Sequence, residues 1–142
     1  MKLKYLLDTN IVSEPLKANP SSNVINRMEA EDTCISICSP VWHELNYGMK
    51  RLERSRKKEL IRDYLENVVD ASIPILPYDS ESAGIHAAFR AKSESRGRQL
   101  PFVDSQIASI AKANNLILVT RNTGDFKGID QLTVENWFLD QL

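Results

Sequence analysis

The chain has 142 residues, the length of one compact domain, and its formal net charge of −1 provides no overall basic field to attract nucleic acid. Binding to nucleic acid would therefore need a local basic patch. No stretch approaches the roughly 20 apolar residues of a membrane span, and the short apolar run near the N-terminus ends at an acid, unlike a signal peptide. We expect residues 1–142 to form a single domain of a cytoplasmic protein that does not bind membranes.

The first half of the chain alternates apolar runs with segments of helical periodicity. Apolar and β-branched residues predict strands over residues 4–7 and 33–38, and the turn-forming stretch NPSS precedes a predicted helix over residues 22–31. A proline at the first helical position favours a helix over residues 40–51. A strongly charged helix is predicted over residues 54–69.

The second half continues the alternation. The stretch SIPILPYD, residues 72–79, is extended, and its two prolines suit only an edge strand or a turn. Helices are predicted over residues 80–96 and 102–114, a strongly apolar strand over residues 116–120, and a short last strand over residues 133–134.

Strands that alternate with helices predict crossover connections and therefore a parallel sheet. The runs YLL and LILV lack polar alternation, which is typical of central strands covered on both faces. We therefore expect a three-layer α/β/α domain. Such sheets bind ligands at the carboxyl ends of their strands.

Two acids occupy positions where a carboxylate is unusual. Asp8 follows the first predicted strand directly, so it either lines a site at that sheet edge or caps a helix that begins near Ile11. Glu44 lies between Val41 and Gly48 on the predicted helix, on or beside its inward face, where a carboxylate is costly unless it is paired or bound to metal. The alternative for Glu44 is a salt bridge with an arginine at the edge of the core.

A third acid and a polar loop repeat the pattern. Asp104 borders the apolar stripe that includes Val103 and Ile107, although a simple first-turn acid is the alternative. After the other strong strand, oxygen-bearing side chains occur at Thr120, Asn122 and Asp125. Acids gathered at one sheet edge would repel each other and raise each other's pKa values, and divalent cations are the usual remedy. Carboxylates without Cys or His ligands suit Mg²⁺ or Mn²⁺.

Four segments, LLDTNIVSEPLK, PVWHELNYGMKR, LPFVDSQIASIA and LVTRNTGDF, resemble in order and spacing the PIN-domain family. More closely, the chain resembles the VapC and FitB toxins of bacterial toxin–antitoxin modules. The resemblance covers nearly the whole chain. It implies a small α/β/α fold and an endoribonuclease that depends on Mg²⁺ or Mn²⁺ and hydrolyses RNA phosphodiester bonds.

Carried over by motif, the resemblance assigns catalysis and metal binding to three acids, Asp8, Glu44 and Asp104. The fourth acidic position is ambiguous, because many relatives have Asp where this chain has Asn122, and Asp125 follows three residues later. Supporting or water-positioning roles fall to three further residues, which are Thr9, Asn10 and Thr120.

Basic residues are concentrated after the predicted Glu44 helix and before Asp104. We expect RNA contacts from Lys50, Arg51, Arg54 and Arg98. The alternative is a solvated face paired with nearby glutamates.

The resemblance also implies partners. These are a cognate VapB-like or FitA-like antitoxin that inserts an arginine among the acids, a second copy of the chain in a homodimer, and DNA reached only through the antitoxin. A competing interpretation, favoured by the neutral Asn122, is a PIN domain of weak catalytic activity that acts mainly as a binding partner in a DNA-bound repressor complex.

Overall fold

The computed structural model describes residues 2–140 and contains one five-stranded sheet in which every neighbouring pair of strands is parallel. The spatial order is β3–β2–β1–β4–β5. The strands are β1 (Tyr5–Leu7), β2 (Ile35–Cys38), β3 (Ile75–Leu76), β4 (Ile117–Val119) and β5 (Val134–Glu135).

Helices connect the strands and cover the sheet in a three-layer α/β/α arrangement. They are α1 (Thr9–Val12), α2 (Ser22–Ala30), α3 (Ser39–Lys50), α4 (Arg56–Tyr64), α5 (Asp70–Ser72), α6 (Ser80–Ser95) and α7 (Phe102–Ala113). Two short 3₁₀ helices span Glu14–Leu16 and Thr123–Phe126. Within residues 2–140, no helix is both long enough and apolar enough to cross a membrane.

The centre of the sheet forms the core. Tyr5 of β1 lies opposite Ile35 on one side and Ile117 on the other, and every residue of β1 and β2 is buried. The unbroken apolar runs in the sequence indicated this double-sided burial correctly. The proline-flanked segment forms β3 at one edge, as expected, because a proline cannot donate a hydrogen bond to a second neighbour.

Local capping chemistry fixes several helix ends. The side chains of Ser21, Ser55 and Asp79 accept hydrogen bonds from backbone N–H groups at the starts of α2, α4 and α6. Gly97 has φ +74° after α6, and the Arg98 N–H bonds to the Ser93 carbonyl at 3.0 Å, which closes a Schellman motif.

The predicted charged helix over residues 54–69 differs from the structure. The α-helix ends at Tyr64 and continues as a π-helical segment, Leu65–Val69, before α5. Both terminal residues of that segment are buried, so core packing rather than the local charge pattern determines the backbone there. The Tyr64 hydroxyl donates to the Val12 carbonyl at 2.6 Å, and burial raises its pKa to about 12.

Candidate active site

The predicted acids surround the carboxyl ends of β1 and β4. Asp8 follows β1, is only 7% exposed, and uses both carboxylate oxygens. Its Oδ1 accepts from the Thr9 N–H at 2.8 Å and its Oδ2 from the Thr120 hydroxyl at 2.8 Å. Both sequence interpretations of Asp8 therefore apply, because the carboxylate caps α1 and also lines the sheet edge.

The carboxylates of Glu44 and Asp8 both accept hydrogen bonds from Thr9. The Thr9 hydroxyl donates to Glu44 Oε2 at 2.7 Å, while the Thr9 N–H bonds Asp8. Thr9 thus bridges the two carboxylates and sets their separation. The contact joins the end of β1 to α3, which are far apart in the chain.

Glu44 was expected on or beside the inward face of α3; it lies beside that face, and the expectation that its carboxylate is buried or half-buried is wrong. Its side chain is exposed, and the buried positions of α3 are Val41, Leu45 and Met49 rather than the stripe through Gly48. A helix that packs on a sheet buries a narrow stripe, and Glu44 lies at the border where α3 leaves the sheet edge. Its carboxylate is therefore open to solvent and to a ligand.

Asp104 is half-buried in the first turn of α7. Burial, followed by the nearby charges of Asp8, Asp125 and Glu44, raises the pKa of its carboxyl to about 6. Val103, expected in the inward stripe, is 41% exposed instead. The inward face of α7 begins at Ser105.

The pKa of Asp8 is also raised. Burial is the main cause; the hydrogen bonds from Thr120 and Thr9 oppose it, and the charges of Glu44 and Asp125 add to it. Asp8, Glu44, Asp104 and Asp125 therefore share one electrostatic environment. Folding brings them together from four separate segments of the chain.

Both candidates for the fourth acidic position, Asn122 and Asp125, lie in the loop after β4, and their environments differ. The Asn122 N–H bonds the Thr120 hydroxyl at 3.1 Å, but the Asn122 side chain is exposed and makes no hydrogen bond within the described part of the chain. Asp125 is also exposed, and its charge raises the pKa of both Asp8 and Asp104. Of the two, only Asp125 carries a charge that acts on those acids.

Asn10 holds the loop in place. Its side-chain amide donates to the Thr120 hydroxyl at 3.3 Å, and its Oδ1 accepts from the Arg121 N–H at 3.0 Å. Since the Thr120 hydroxyl also donates to Asp8, the side chains of Asp8, Asn10 and Thr120 form one hydrogen-bond network at the ends of β1 and β4. This network fixes the orientation of the Asp8 carboxylate.

Two observations bear on whether this site suits a metal ion. Within residues 2–140, none of the four acids forms an ion pair with lysine or arginine, so their mutual repulsion is uncompensated by the chain. In the same residues, no three Asp, Glu, His or Cys side chains are grouped closely enough to enclose an ion by themselves. Mg²⁺ keeps several waters and usually binds one or two carboxylates directly, so an open, all-oxygen site of this kind fits it.

A hydrogen-bond chain through a buried histidine joins α6 to the first turn of α7, next to Asp104 in the sequence. Ser105 Oγ lies 2.9 Å from the Pro101 carbonyl, to which it donates, and 2.8 Å from His86 Nε2. His86 Nδ1 lies 2.8 Å from the Tyr78 hydroxyl. These contacts suit a neutral imidazole that donates from Nε2, and burial, with the charge of Arg90, lowers the His86 pKa. His86 thus has a structural role, because it links Tyr78 to Ser105 where α6 packs against α7.

The basic residues have mixed environments. Lys50, Arg51 and Arg54 are exposed, and the Arg51 guanidinium lies over the Tyr47 ring at 5.7 Å. The Arg98 guanidinium instead packs against Gly128, near the loop after β4. A Cβ added at Gly128 would lie 3.5 Å from Arg98 Nη1. Other basic residues of the same stretches are engaged within the chain, namely Lys58, Arg62, Lys92 and Arg96.

Comparisons with known proteins identify the family of the chain. A family model described as the PIN domain matches residues 5–132. Toxin FitB of Neisseria gonorrhoeae is 32% identical over 93% of this chain and 97% of its own length. The tRNA(fMet)-specific endonuclease VapC of Shigella flexneri is 34% identical over 95% and 98%.

The fold comparison gives the same result. The structure of FitAB bound to an IR36 DNA fragment contains a chain that superposes with a TM-score of 0.87 and 29% identity, covering 97% of this chain and 98% of that one. PIN-domain ribonucleases generally depend on divalent metal ions. The motifs, the parallel sheet and the acids at its edge all lead to one conclusion: the chain belongs to the PIN-domain family, in the group that includes the FitB and VapC toxins.

Proposed function

We propose that this chain is the toxin of a type II toxin–antitoxin system and acts as an endoribonuclease that requires Mg²⁺ or Mn²⁺. One observation carries the proposal. Burial, and then the charges of Glu44 and Asp125, raise the pKa values of the Asp8 and Asp104 carboxyls, and none of these four acids forms an ion pair with lysine or arginine within residues 2–140. A divalent cation relieves that repulsion.

The relatives support the reaction class. Several are named as ribonucleases or endonucleases, among them the VapC named above for its action on tRNA(fMet). The proposal for this chain is hydrolysis of an RNA phosphodiester bond.

In the mechanism, Asp8, Glu44 and Asp104 would hold the ion together with water molecules, since no three acidic side chains among residues 2–140 are grouped closely enough to enclose it by themselves. When bound, it would lower the pKa of a water molecule and stabilise charge on a phosphoryl oxygen. Thr120 and Thr9 hold the Asp8 carboxylate in one orientation, and Thr9 keeps Glu44 beside it. The exposed Glu44 and the half-buried Asp104 leave one side of the site open to a phosphodiester.

We assign the fourth acidic position to Asp125. Its charge reaches both Asp8 and Asp104, whereas Asn122 contributes a backbone N–H to Thr120. Asn10 and Thr120 are positioning residues, because they act through Asp8 and the loop after β4. Lys50, Arg51 and Arg54 would contact RNA phosphates beside α3, and Arg98 beside the loop.

The proposed partners follow from the same relatives. Chains of this fold occur in solved complexes of FitAB and VapBC, some bound to DNA. We propose a cognate antitoxin of the VapB or FitA kind, with DNA bound through the antitoxin, and a homodimer of the toxin. An antitoxin arginine suits the uncompensated acids because its guanidinium pairs with carboxylates in a bidentate manner. The whole chain would act as one domain in the cytoplasm.

The test is cleavage of RNA by the purified chain. We expect hydrolysis with Mg²⁺ or Mn²⁺, loss of hydrolysis in EDTA, and loss in Asp8→Asn. Glu66→Gln is the matched control, because Glu66 is an exposed carboxylate on the π-helical segment with no ion pair within residues 2–140. Cleavage that survives both EDTA and Asp8→Asn would remove this site from the reaction.

The weakly catalytic alternative rests on the neutral Asn122. In that case the chain would bind its antitoxin and contribute to repression while cutting RNA slowly or not at all. The isolated chain discriminates between the two, because a binding partner without catalytic power gives no metal-dependent products at any enzyme concentration.

A further inference from the structure

A pocket of about 460 Å³ lies between α3 and α7, beside the acids. Glu44 belongs both to the acidic cluster and to the wall of this pocket. The volume is in the range of small-molecule sites, roughly 300–1,000 Å³. The lining residues are Ser39, Pro40, His43, Glu44, Val103 and Gln106.

The pocket is lined by an aromatic ring, by apolar side chains and by side chains that can form hydrogen bonds. Pro40 and the 41% exposed Val103 provide apolar surface. The His43 ring is stacked on Tyr47, with centroids 6.2 Å apart and planes at 24°. The Gln106 amide makes no hydrogen bond with any described residue, and neither does the His43 ring. An amide that offers both a donor and an acceptor is the kind of group that reads the edge of a base.

We propose that this pocket binds the base of an unpaired RNA nucleotide next to the scissile phosphate. The proposal rests on the proposed ribonuclease function and adds a determinant of substrate choice. The base would stack on His43, whose ring is already held by Tyr47, and Gln106 would hydrogen-bond its edge. Stacking on aromatic side chains and hydrogen bonding to splayed bases are how proteins recognise single-stranded RNA.

The charges around the pocket agree with this occupant. At the C-terminal end of α3, the Arg51 guanidinium lies over the Tyr47 ring at 5.7 Å, where a neighbouring phosphate would extend. Glu44 lines the pocket next to His43 and is bonded by the Thr9 hydroxyl, so the scissile phosphate would meet the ion at this end of the pocket. An RNA strand that runs along α3 towards its first residues would therefore meet a cation, a stacked ring and the acidic site in order.

A surface for a second copy of the chain is the competing use of this region, since Tyr47 is 61% exposed and Phe102 is 54% exposed. A protein interface core is depleted of charged groups. The lining of the pocket instead includes the Glu44 carboxylate, and its His43 and Gln106 side chains make no hydrogen bond within residues 2–140. These observations favour the nucleotide, and the experiment measures the oligomeric state directly.

The experiment measures how substitutions in the pocket and abasic positions in the RNA affect binding, separately and together. Fluorescein-labelled, single-stranded RNA octamers are bound to the chain in an Asp8→Asn background with Mg²⁺, so that the RNA stays intact, and affinity is measured by fluorescence anisotropy. A matched series carries one abasic nucleotide at each position in turn. The protein variants are His43→Ala, His43→Phe and Gln106→Leu, with Leu60→Ala as an exposed apolar control on α4, outside the pocket.

We expect one abasic position to weaken binding about 5- to 150-fold. His43→Ala should weaken binding of intact RNA by a similar factor and have little further effect on that abasic RNA. His43→Phe should retain affinity because it retains a ring, and Gln106→Leu should change which base is preferred at that one position. Leu60→Ala should change nothing.

Three results would overturn the proposal. The first is equal weakening by His43→Ala on intact and abasic RNA, and the second is no weakening at all. The third is a change of oligomeric state in His43→Ala by sedimentation velocity, which would assign the pocket to a protein interface. Absence of RNA binding by the chain and all its variants would instead contradict the proposed function itself, so the two failures are distinguishable.

Discussion

Replacing Asp104 by asparagine should abolish RNA cleavage and at the same time stabilise the metal-free protein. The wild-type carboxylate is half-buried on α7 and faces the charges of Asp8, Asp125 and Glu44. Without a cation, that arrangement costs folding free energy whenever Asp104 is ionised. Asparagine has nearly the same shape but no charge, so it removes the cost and also removes a proposed metal ligand.

The size of the effect follows from the pKa. The pKa of the Asp104 carboxyl rises from its ordinary value of 3.8 to about 6 in the fold. At about 1.36 kcal/mol for each unit, the upper bound is about 3 kcal/mol. Because Asp104 is partly exposed and its neighbours are screened by solvent, we expect about 1–2 kcal/mol. For a chain of this length that is roughly 3–8 °C in the thermal midpoint.

The sign depends on pH. The folded protein holds the Asp104 proton more tightly than the unfolded chain, so the wild type loses stability as the pH rises from about 4 to about 6. The advantage of Asp104→Asn should therefore be complete above pH 6 and should disappear near pH 4. Thermal unfolding by circular dichroism in EDTA, at pH 7.5 and at pH 4, measures both limits.

Glu66→Gln is the control, since Glu66 is exposed and forms no ion pair within residues 2–140. It should leave the thermal midpoint nearly unchanged at both pH values. Added Mg²⁺ should raise the midpoint of the wild type more than that of Asp104→Asn. If Asp104→Asn is no more stable than the wild type at pH 7.5 in EDTA, or if its advantage persists at pH 4, the repulsion argument is wrong.

Three further predictions concern the surroundings of the acids. Asp125→Asn should lower cleavage at least tenfold, whereas Asn122→Ala should change it less than threefold; the reverse order would move the fourth position to Asn122. Thr120→Val should lower cleavage and raise the Mg²⁺ concentration for half-maximal rate, because Asp8 loses a donor at 2.8 Å, and Thr120→Ser should restore both. Charge reversal in Arg51→Glu with Arg54→Glu should weaken RNA binding and reduce its salt dependence in anisotropy titrations; unchanged salt dependence would refute the phosphate contacts.

The elements themselves were largely predictable. The apolar runs indicated all five strands within one or two residues at most ends, and two prolines indicated the edge position of β3. These signals are local, because strand burial, turn residues and caps act over a few neighbouring positions. The π-helical segment Leu65–Val69 was not predicted, because its backbone depends on core packing that the charge pattern does not encode.

The exposure of two side chains around the proposed site differs from the prediction. Glu44 is exposed and Val103 lies outside the core. Helical periodicity locates an inward stripe only to within about one position, and Glu44 and Val103 lie at its border. The contact between Thr9 and Glu44 spans 35 positions in the chain, so no local pattern could indicate it.

By itself, the sequence determined the order of strands and helices and the parallel sheet, and it predicted three acids and a polar loop at the carboxyl edge of that sheet, because each follows from local periodicity and from the direction of parallel strands. Only the tertiary structure decided that Thr9 bridges Asp8 and Glu44, that the charge of Asp125 acts on Asp8 and Asp104, and that a pocket opens beside Glu44. Those features depend on distances between segments far apart in the chain, which are set by how helices pack on the sheet.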